Sequence, residues 1–254
     1  MPRKTGIILA YDRSTFTDEE EELLYSLSPY VDLVKVGLEA MTEAGDDGYS
    51  IADHVSAFSV EMKKRSMWDC KFHDIGNTVE KAILNITGSR PSIKMLTVHA
   101  AMSDKALRAA AKACAEANVL LLAVTVLTDI DQEQCFRLFQ RTPAHAVLDL
   151  VTKATEAGVR GIVCSPKEIE LIRDGFGSEV TLVVPGIRPL WAPNDDQKRV
   201  MTPSDAAKAG ADYVVIGRPI LQPPVGMTSV EAARRIYEEL GTAHKTGTVV
   251  AKIV

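Results

Sequence analysis

Eight short apolar runs, separated by segments with helical patterning, recur along the whole chain and restrict its fold more than any other feature. Several runs are continuously apolar rather than alternating, which is typical of parallel strands covered on both faces. The alternation of strands with helices predicts βα units and a parallel sheet. The predicted strands are residues 7–11, 33–36, 67–72, 94–98, 120–127, 161–164, 180–184 and 213–216.

Eight βα units in 254 residues match the size and repeat of one fold class. The sequence predicts a single α/β domain, a (β/α)8 TIM barrel over residues 1–240, followed by a C-terminal tail, 241–254, of unknown role. A doubly wound open sheet is the alternative. It is disfavoured because no Gly-rich phosphate turn follows the first strand, and because polar residues end many strands rather than meeting at one crossover.

Charge and cysteine content exclude several kinds of partner. The net charge of -5 comes from interspersed acidic and basic residues, without the basic stripe that nucleic-acid binding needs. No run approaches the ~18 apolar residues of a membrane span. The four cysteines form no C-x-x-C pair and are typical of reduced, buried thiols. We therefore expect a cytoplasmic protein that binds neither nucleic acid nor membrane.

Polar residues stand at the ends of the predicted strands, where barrels of this kind build their active sites. The residues that end the first five strands in this way are Asp12, Lys35, Asp69 with Lys71, His99 and Thr128. A lone histidine at a strand end is more often structural, so His99 is left out of the predicted site, and His73 likewise.

The third strand carries the densest group of charges. Asp69 and Lys71 are two residues apart, so regular strand geometry places them on one face, and Asp74 lies just past the strand's end. Cys70 and Phe72 should then face the helices. Buried charges persist only when they are paired and hydrogen-bonded, or when a reaction requires them.

The last two strands end in segments suited to phosphate. Pro185-Gly186-Ile187-Arg188 follows the seventh strand and Gly217-Arg218 follows the eighth. Glycine lets backbone N–H groups approach a phosphate, and arginine adds a bidentate contact. A phosphorylated small molecule is the expected ligand.

These segments together resemble the orotidine 5′-phosphate decarboxylase family in its bacterial form, from about residue 7 to about residue 240. The pattern D-x-K-x-x-D alone would be weak, but its combination with the other segments is specific. The segments that carry the resemblance are Asp12, Lys35-Val36-Gly37, Asp69-x-Lys71-x-x-Asp74-Ile75, Val98-His99-Ala100, Val124-Thr125-x-Leu127-Thr128, Pro185-Gly186-Ile187-Arg188-Pro189, Asp196-Gln197 and Val215-Ile216-Gly217-Arg218-Pro219.

The resemblance implies decarboxylation of orotidine 5′-monophosphate (OMP) to uridine 5′-monophosphate (UMP) and CO2, the last step of de novo UMP synthesis, without metal or organic cofactor. Lys71 would stabilise the carbanion at C6 of the pyrimidine and protonate it. Asp69 would lie near the substrate carboxylate and repel it. Lys35 and Asp74 would complete an alternating chain of charges.

The resemblance also implies the binding roles. Asp12 would hold a ribose hydroxyl and Thr128 the pyrimidine amide, while Asp74, Ile75 and Thr78 would reach the site of the other subunit of a homodimer. The segment 188–197 would close as a lid. The residues expected around the phosphate are Pro185, Arg188, Gln197, Gly217 and Arg218.

Two other functions stay open. Gly76 stands where many relatives carry proline, and brings the motif nearer to that of the magnesium-dependent sugar-phosphate enzymes, 3-keto-L-gulonate 6-phosphate decarboxylase and hexulose-6-phosphate synthase. Those look to a glutamate where this chain has Lys35, and a lysine there would repel the metal. A non-catalytic barrel that only binds a nucleotide is the second alternative.

Overall fold

Eight parallel strands close into a barrel in chain order, in a computed structural model that describes residues 5–43, 49–62, 65–192 and 201–246. The first strand pairs with both the second and the eighth, which closes the sheet. The predicted (β/α)8 barrel is thus confirmed. The strands are β1 (Gly6–Tyr11), β2 (Leu33–Val36), β3 (Arg65–Phe72), β4 (Ile93–His99), β5 (Leu120–Val124), β6 (Gly161–Val163), β7 (Thr181–Val184) and β8 (Tyr213–Ile216).

Helices follow the strands and cover the outside of the barrel. A single 3-10 turn, Pro166–Glu168, leads into the helix after β6. The helices are α1 (Asp18–Leu27), α2 (Leu38–Thr42), α3 (Ile51–Glu61), α4 (Gly76–Ser89), α5 (Asp104–Glu116), α6 (Gln132–Phe139), α7 (Pro143–Glu156), α8 (Ile169–Phe176), α9 (Pro203–Ala209), α10 (Arg218–Leu221) and α11 (Ser229–Thr246).

Alternate strand residues divide the core into two layers. One set faces the helices and joins the large outer cluster, as Val34 and Val36 of β2 do. The other set fills the barrel interior and includes Leu33, Met67 and Met95. Because side chains alternate along a strand, the residue two positions after each inner residue also points inward, one layer nearer the C-terminal ends of the strands.

β5 is shorter than the sequence predicts, since it ends at Val124 instead of continuing to residue 127. The backbone N–H of Thr125 donates to the carbonyl of Val163 over 3.1 Å, and the Thr125 hydroxyl donates to the same oxygen over 2.9 Å. The chain then turns, with the N–H of Ile130 bonded to Leu127. The apolar run from Val126 to Leu127 is therefore loop, which puts Thr128 beyond the strand.

The last helix, α11, continues through Gly241 to Thr246, so it runs past the predicted barrel boundary at residue 240. The remainder of the predicted tail, residues 247–254, lies outside the described residues. Across the described ranges, no helix combines the length and the apolar character that crossing a membrane requires.

Candidate active site at the C-terminal ends of the strands

Four charged side chains from the first three strands form a continuous network. The ammonium of Lys35 lies 2.8 Å from Asp12 Oδ1 and 3.7 Å from Asp69 Oδ2. The ammonium of Lys71 lies 2.7 Å from the same Asp69 oxygen. Carboxylates and ammonium groups thus alternate in the order Asp12, Lys35, Asp69, Lys71. The predicted chain has the same two lysines and Asp69, but Asp74 as its second aspartate instead of Asp12.

Asp69 is the centre of this network and is mostly buried, with a side chain that is 13% exposed. Burial alone would raise its pKa, but the positive charges of Lys35 and Lys71, with hydrogen bonds from Lys71 and Thr97, outweigh that effect and hold the pKa of Asp69 below its ordinary value. Asp69 is therefore a carboxylate at neutral pH. It keeps two cations in place at the bottom of the site.

Asp69 and Lys71 do meet on one side of β3, but not through regular strand geometry. Lys71 has a positive φ of 46°, a conformation that non-glycine residues rarely adopt, and the pairing of β3 with β4 shifts register between Trp68 and Phe72. The Cys70 thiol faces outward as predicted, 3.9 Å from the sulfur of Met41 in α2. Phe72 packs against the outer cluster.

A cavity of about 460 Å³ opens above the charge network. One wall carries Asp12, Lys35, Asp69 and Lys71. Another part of the wall comes from the segments after β7 and β8, and contains the predicted phosphate residues Pro185, Arg188, Gly217 and Arg218. A negative group at that wall would meet two arginines, one of them buried and the other exposed.

Backbone contacts hold the Arg188 segment in place. The N–H of Arg188 donates to the carbonyl of Met201 over 2.9 Å, and the N–H of Met201 donates back to Gly186, so both ends of the loop are tied together. Gly186 has a φ of 77°, which glycine adopts without strain. Residues 193–200, including the predicted phosphate ligand Gln197 and the second half of the predicted lid, lie outside the described residues.

A smaller cavity of about 180 Å³ adjoins the first and shares Lys35, Asp69, Lys71 and Pro185 with it. Apolar residues line most of its remaining wall, and Thr128 supplies a hydroxyl. The two cavities therefore place a mostly apolar recess and a cationic wall next to each other, and Lys71 lines both cavities.

Three predicted site residues stand apart from both cavities. Asp74, Ile75 and Thr78 lie at the start of α4 and are exposed, and Ile75 as a whole residue is 69% exposed. The carboxylate of Asp74 accepts the N–H of Ile75. Within one chain, these residues do not complete the site.

The two histidines that the prediction leaves out of the site are stacked on each other. The rings of His73 and His99 are 5.3 Å apart with an interplanar angle of 14°. Burial lowers the pKa of His99, and the electrostatic effects of His73 and Lys71 lower it further, so the ring is neutral near pH 7. Its Nδ1 accepts the N–H of Ala101, which is a structural contact.

Sequence reasoning missed three residues that shape the site. A Cβ at Gly37 would lie 3.2 Å from Asp12 Oδ1 and 3.3 Å from Lys35 Nζ, so glycine leaves room for that ion pair. Arg13 lines the larger cavity and is held 2.9 Å from Glu20. Thr97, the lone polar residue in the run from Met95 to Val98, bonds to Asp69. That interruption of an apolar strand was the available signal.

Fold and site together define an enzyme class: a (β/α)8 barrel with paired lysines and aspartates in a cavity that two arginines also line. A family model described as "Orotidine 5′-phosphate decarboxylase / HUMPS family" matches residues 5–236, and the chain belongs to this family.

Relatives cover nearly the whole chain. The orotidine 5′-phosphate decarboxylase of Heliobacterium modesticaldum is 38% identical over 249 residues, 94% of this chain and 97% of that protein. The one from Gluconobacter oxydans is 40% identical and covers 96% of this chain and 100% of its own. The crystal structure of orotidine 5′-phosphate decarboxylase from Lactobacillus acidophilus superposes with a TM-score of 0.73 at 28% identity, over 93% of this chain and 99% of that one.

Proposed function

We propose that the chain decarboxylates OMP to UMP and CO2, with Lys71 as the group that stabilises and protonates C6. Its curated relatives carry this activity in their names. The observation that carries the proposal is the Lys71 ammonium, held 2.7 Å from Asp69 where a mostly apolar recess of about 180 Å³ adjoins the cavity with the cationic wall.

The chemistry needs one bond broken and one formed. The bond between C6 and the carboxylate carbon breaks, CO2 leaves, and the electron pair stays on C6. A fixed ammonium beside C6 stabilises that charge more in the transition state than in the ground state, because the charge is only then developing. Lys71 next donates a proton to C6, which gives UMP, and the resulting amine regains a proton from water.

Asp69 and Lys35 prepare Lys71 for this role. The carboxylate of Asp69 orients the ammonium, and Lys35 keeps Asp69 ionised. A substrate carboxylate placed beside Asp69 would be repelled until CO2 departs, which raises the energy of the ground state.

The rest of the substrate fits the remaining walls. Arg188, Arg218 and the backbone at Gly217 bind the phosphate, together with Gln197. Asp12 accepts a ribose hydroxyl while it stays paired with Lys35. Thr128 hydrogen-bonds the pyrimidine amide, and Pro185 separates the base from the phosphate.

A homodimer completes the site in this proposal. Asp74, Ile75 and Thr78 are exposed at the start of α4, and an isoleucine with this much exposed surface favours burial against another chain. Asp74 would then continue the alternation of charges from the partner subunit, next to Lys71. The four buried free thiols fit a reducing, cytoplasmic location.

The donor set disfavours the magnesium-dependent sugar-phosphate reaction. Among the described residues, Asp12 and Asp69 are the two carboxylates that line the larger cavity. Lys35 contacts both, so a divalent cation there would meet an ammonium. Turnover of OMP should therefore survive treatment with EDTA. Loss of turnover that added magnesium restores would favour the metal-dependent class.

An ultraviolet assay with OMP tests the proposed activity, because loss of the C6 carboxylate changes the absorbance of the pyrimidine. We expect a decrease of the OMP signal with stoichiometric formation of UMP, and none when UMP replaces OMP. If OMP absorbance stays constant while the protein binds UMP, the chain is a nucleotide-binding barrel and the proposed reaction is wrong.

A further inference from the structure

We propose that Thr97 is a positioning residue that fixes Asp69 and the irregular backbone of Lys71 relative to each other, and so sets the location of the Lys71 ammonium. The proposal rests on the proposed function. Thr97 is fully buried on β4 and lies outside the lining of both cavities, so it acts through its neighbours.

In the register of β3 against β4, Thr97 lies opposite more than one residue. Trp68 pairs with Leu96 and Phe72 pairs with Val98, so residues 69–71 of β3 all lie opposite Thr97 alone. A regular ladder would place one residue there. The extra residues form a bulge, and a bulge removes backbone N–H groups from the ladder.

The Thr97 hydroxyl replaces a missing ladder bond. The backbone N–H of Lys71 donates to Thr97 Oγ1 over 2.8 Å, at the residue whose φ is 46°. A strained conformation of this kind persists only where surrounding contacts hold it. With this N–H bonded to a side chain of the neighbouring strand, the bulge is held in one conformation.

The same hydroxyl fixes the carboxylate of Asp69. A threonine hydroxyl has one hydrogen, and because Oγ1 already accepts from Lys71, that hydrogen is directed to Asp69 Oδ1, 2.9 Å away. Asp69 Oδ2 is then left for the ammonium of Lys71 at 2.7 Å and that of Lys35 at 3.7 Å. Each oxygen of the carboxylate has its own partners, and these contacts favour one orientation of the carboxylate.

These bonds form a closed triangle. Thr97 holds the main chain of Lys71 and one oxygen of Asp69, and the other oxygen holds the Lys71 side chain. Met95, two residues earlier on β4, belongs to the interior cluster, so Thr97 also points into the barrel, directly below the charge network. Without the hydroxyl, the backbone N–H of Lys71 would lose its hydrogen bond. The Asp69 carboxylate that holds the Lys71 ammonium would also lose one of its contacts.

Thr97→Val tests the proposal, because valine keeps the shape and removes both hydrogen bonds. We expect kcat for OMP to fall about 10- to 100-fold, as a displacement near 1 Å would produce, with KM and UMP affinity within about threefold of wild type. Thr97→Ser keeps the hydroxyl and should restore kcat to within about threefold. Thr5→Val is the matched control, since it removes another buried hydroxyl, bonded to Ala211 at the opposite end of the barrel.

A crystal structure of Thr97→Val separates this proposal from the proposed function. We expect the Lys71 φ and the distance from Lys71 Nζ to Asp69 to change. Unchanged geometry overturns the positioning role even if the wild-type protein has no activity on OMP. The positioning role is also overturned if kcat is unchanged in a folded Thr97→Val protein, or if the Thr97→Val and Thr5→Val proteins lose kcat equally. Inactivity of the wild type on OMP contradicts only the proposed reaction.

Discussion

The ammonium of Lys71 and the carboxylate of Asp69 lie 2.7 Å apart, although the two residues belong to a part of β3 that has left regular strand geometry. The contact exists because Lys71 takes a positive φ, which brings its side chain back toward Asp69. An ion pair built at such a cost in backbone energy is typical of a functional site.

Lys71→Ala should reduce turnover of OMP by at least about 1,000-fold, because it removes both the charge beside C6 and the proton donor. UMP affinity should stay within about tenfold, since Arg188 and Arg218 are untouched. Steady-state kinetics and calorimetry give the two values. Lys112→Ala, on the exposed face of α5, is the control. Turnover within tenfold of wild type would refute the role of Lys71.

The stability that Asp69 contributes should depend on pH. Its pKa is held below the ordinary value of 3.8, so its contribution is complete above the unfolded pKa and is lost as pH falls through the folded one. Asp69→Asn should therefore cost about 3 kcal/mol near pH 7, because it leaves Lys35 and Lys71 without their shared counter-charge, and less below about pH 4.

Urea unfolding of both proteins between about pH 7 and about pH 3 measures this difference. Asp174→Asn, at an exposed position of α8, is the control and should show no comparable change. A difference between wild type and Asp69→Asn that stays constant over the whole range would mean that the charge of Asp69 does not stabilise the fold.

Much of the fold follows from local sequence. The eight strands were predictable because each apolar run is bounded by turn or cap residues, and the C-terminal ends of parallel strands must meet at one edge. That rule predicts that Asp12, Lys35, Asp69 and Lys71 lie together at this edge. The same rule predicts that the segments after β7 and β8 meet at this edge, and residues of both line the larger cavity.

The details that escaped prediction depend on contacts between strands. The bulge at Lys71 exists because a hydroxyl of β4 accepts its N–H, and no local pattern in β3 encodes that partner. The early end of β5 likewise depends on Thr125 bonding to Val163 of β6. In both cases a threonine within an apolar run marks the place, but its partner is known only from the fold.

Mixing two inactive variants should restore activity if the site is shared between subunits. A heterodimer of Lys71→Ala and Asp74→Ala chains has one site with both residues intact, so random exchange should give about a quarter of wild-type activity. Kinetics before and after exchange test this. Mixing Lys71→Ala with Asp69→Ala is the control, because both residues act within one chain. No recovery after confirmed subunit exchange would refute the shared site.

Gly76→Pro should stabilise the protein. Gly76 is the first residue of α4, a position where proline fits the helix and where the missing N–H has no partner within the helix. A Cβ there would lie 3.4 Å from Ala106 Cα, which is ordinary contact. Restricting the unfolded chain should add about 0.4 to 1 kcal/mol to the free energy of unfolding.

Gly88→Pro, near the other end of α4, should instead cost about 3 kcal/mol. Urea unfolding distinguishes the two, and a destabilised Gly76→Pro protein would show that the start of α4 needs the freedom of glycine.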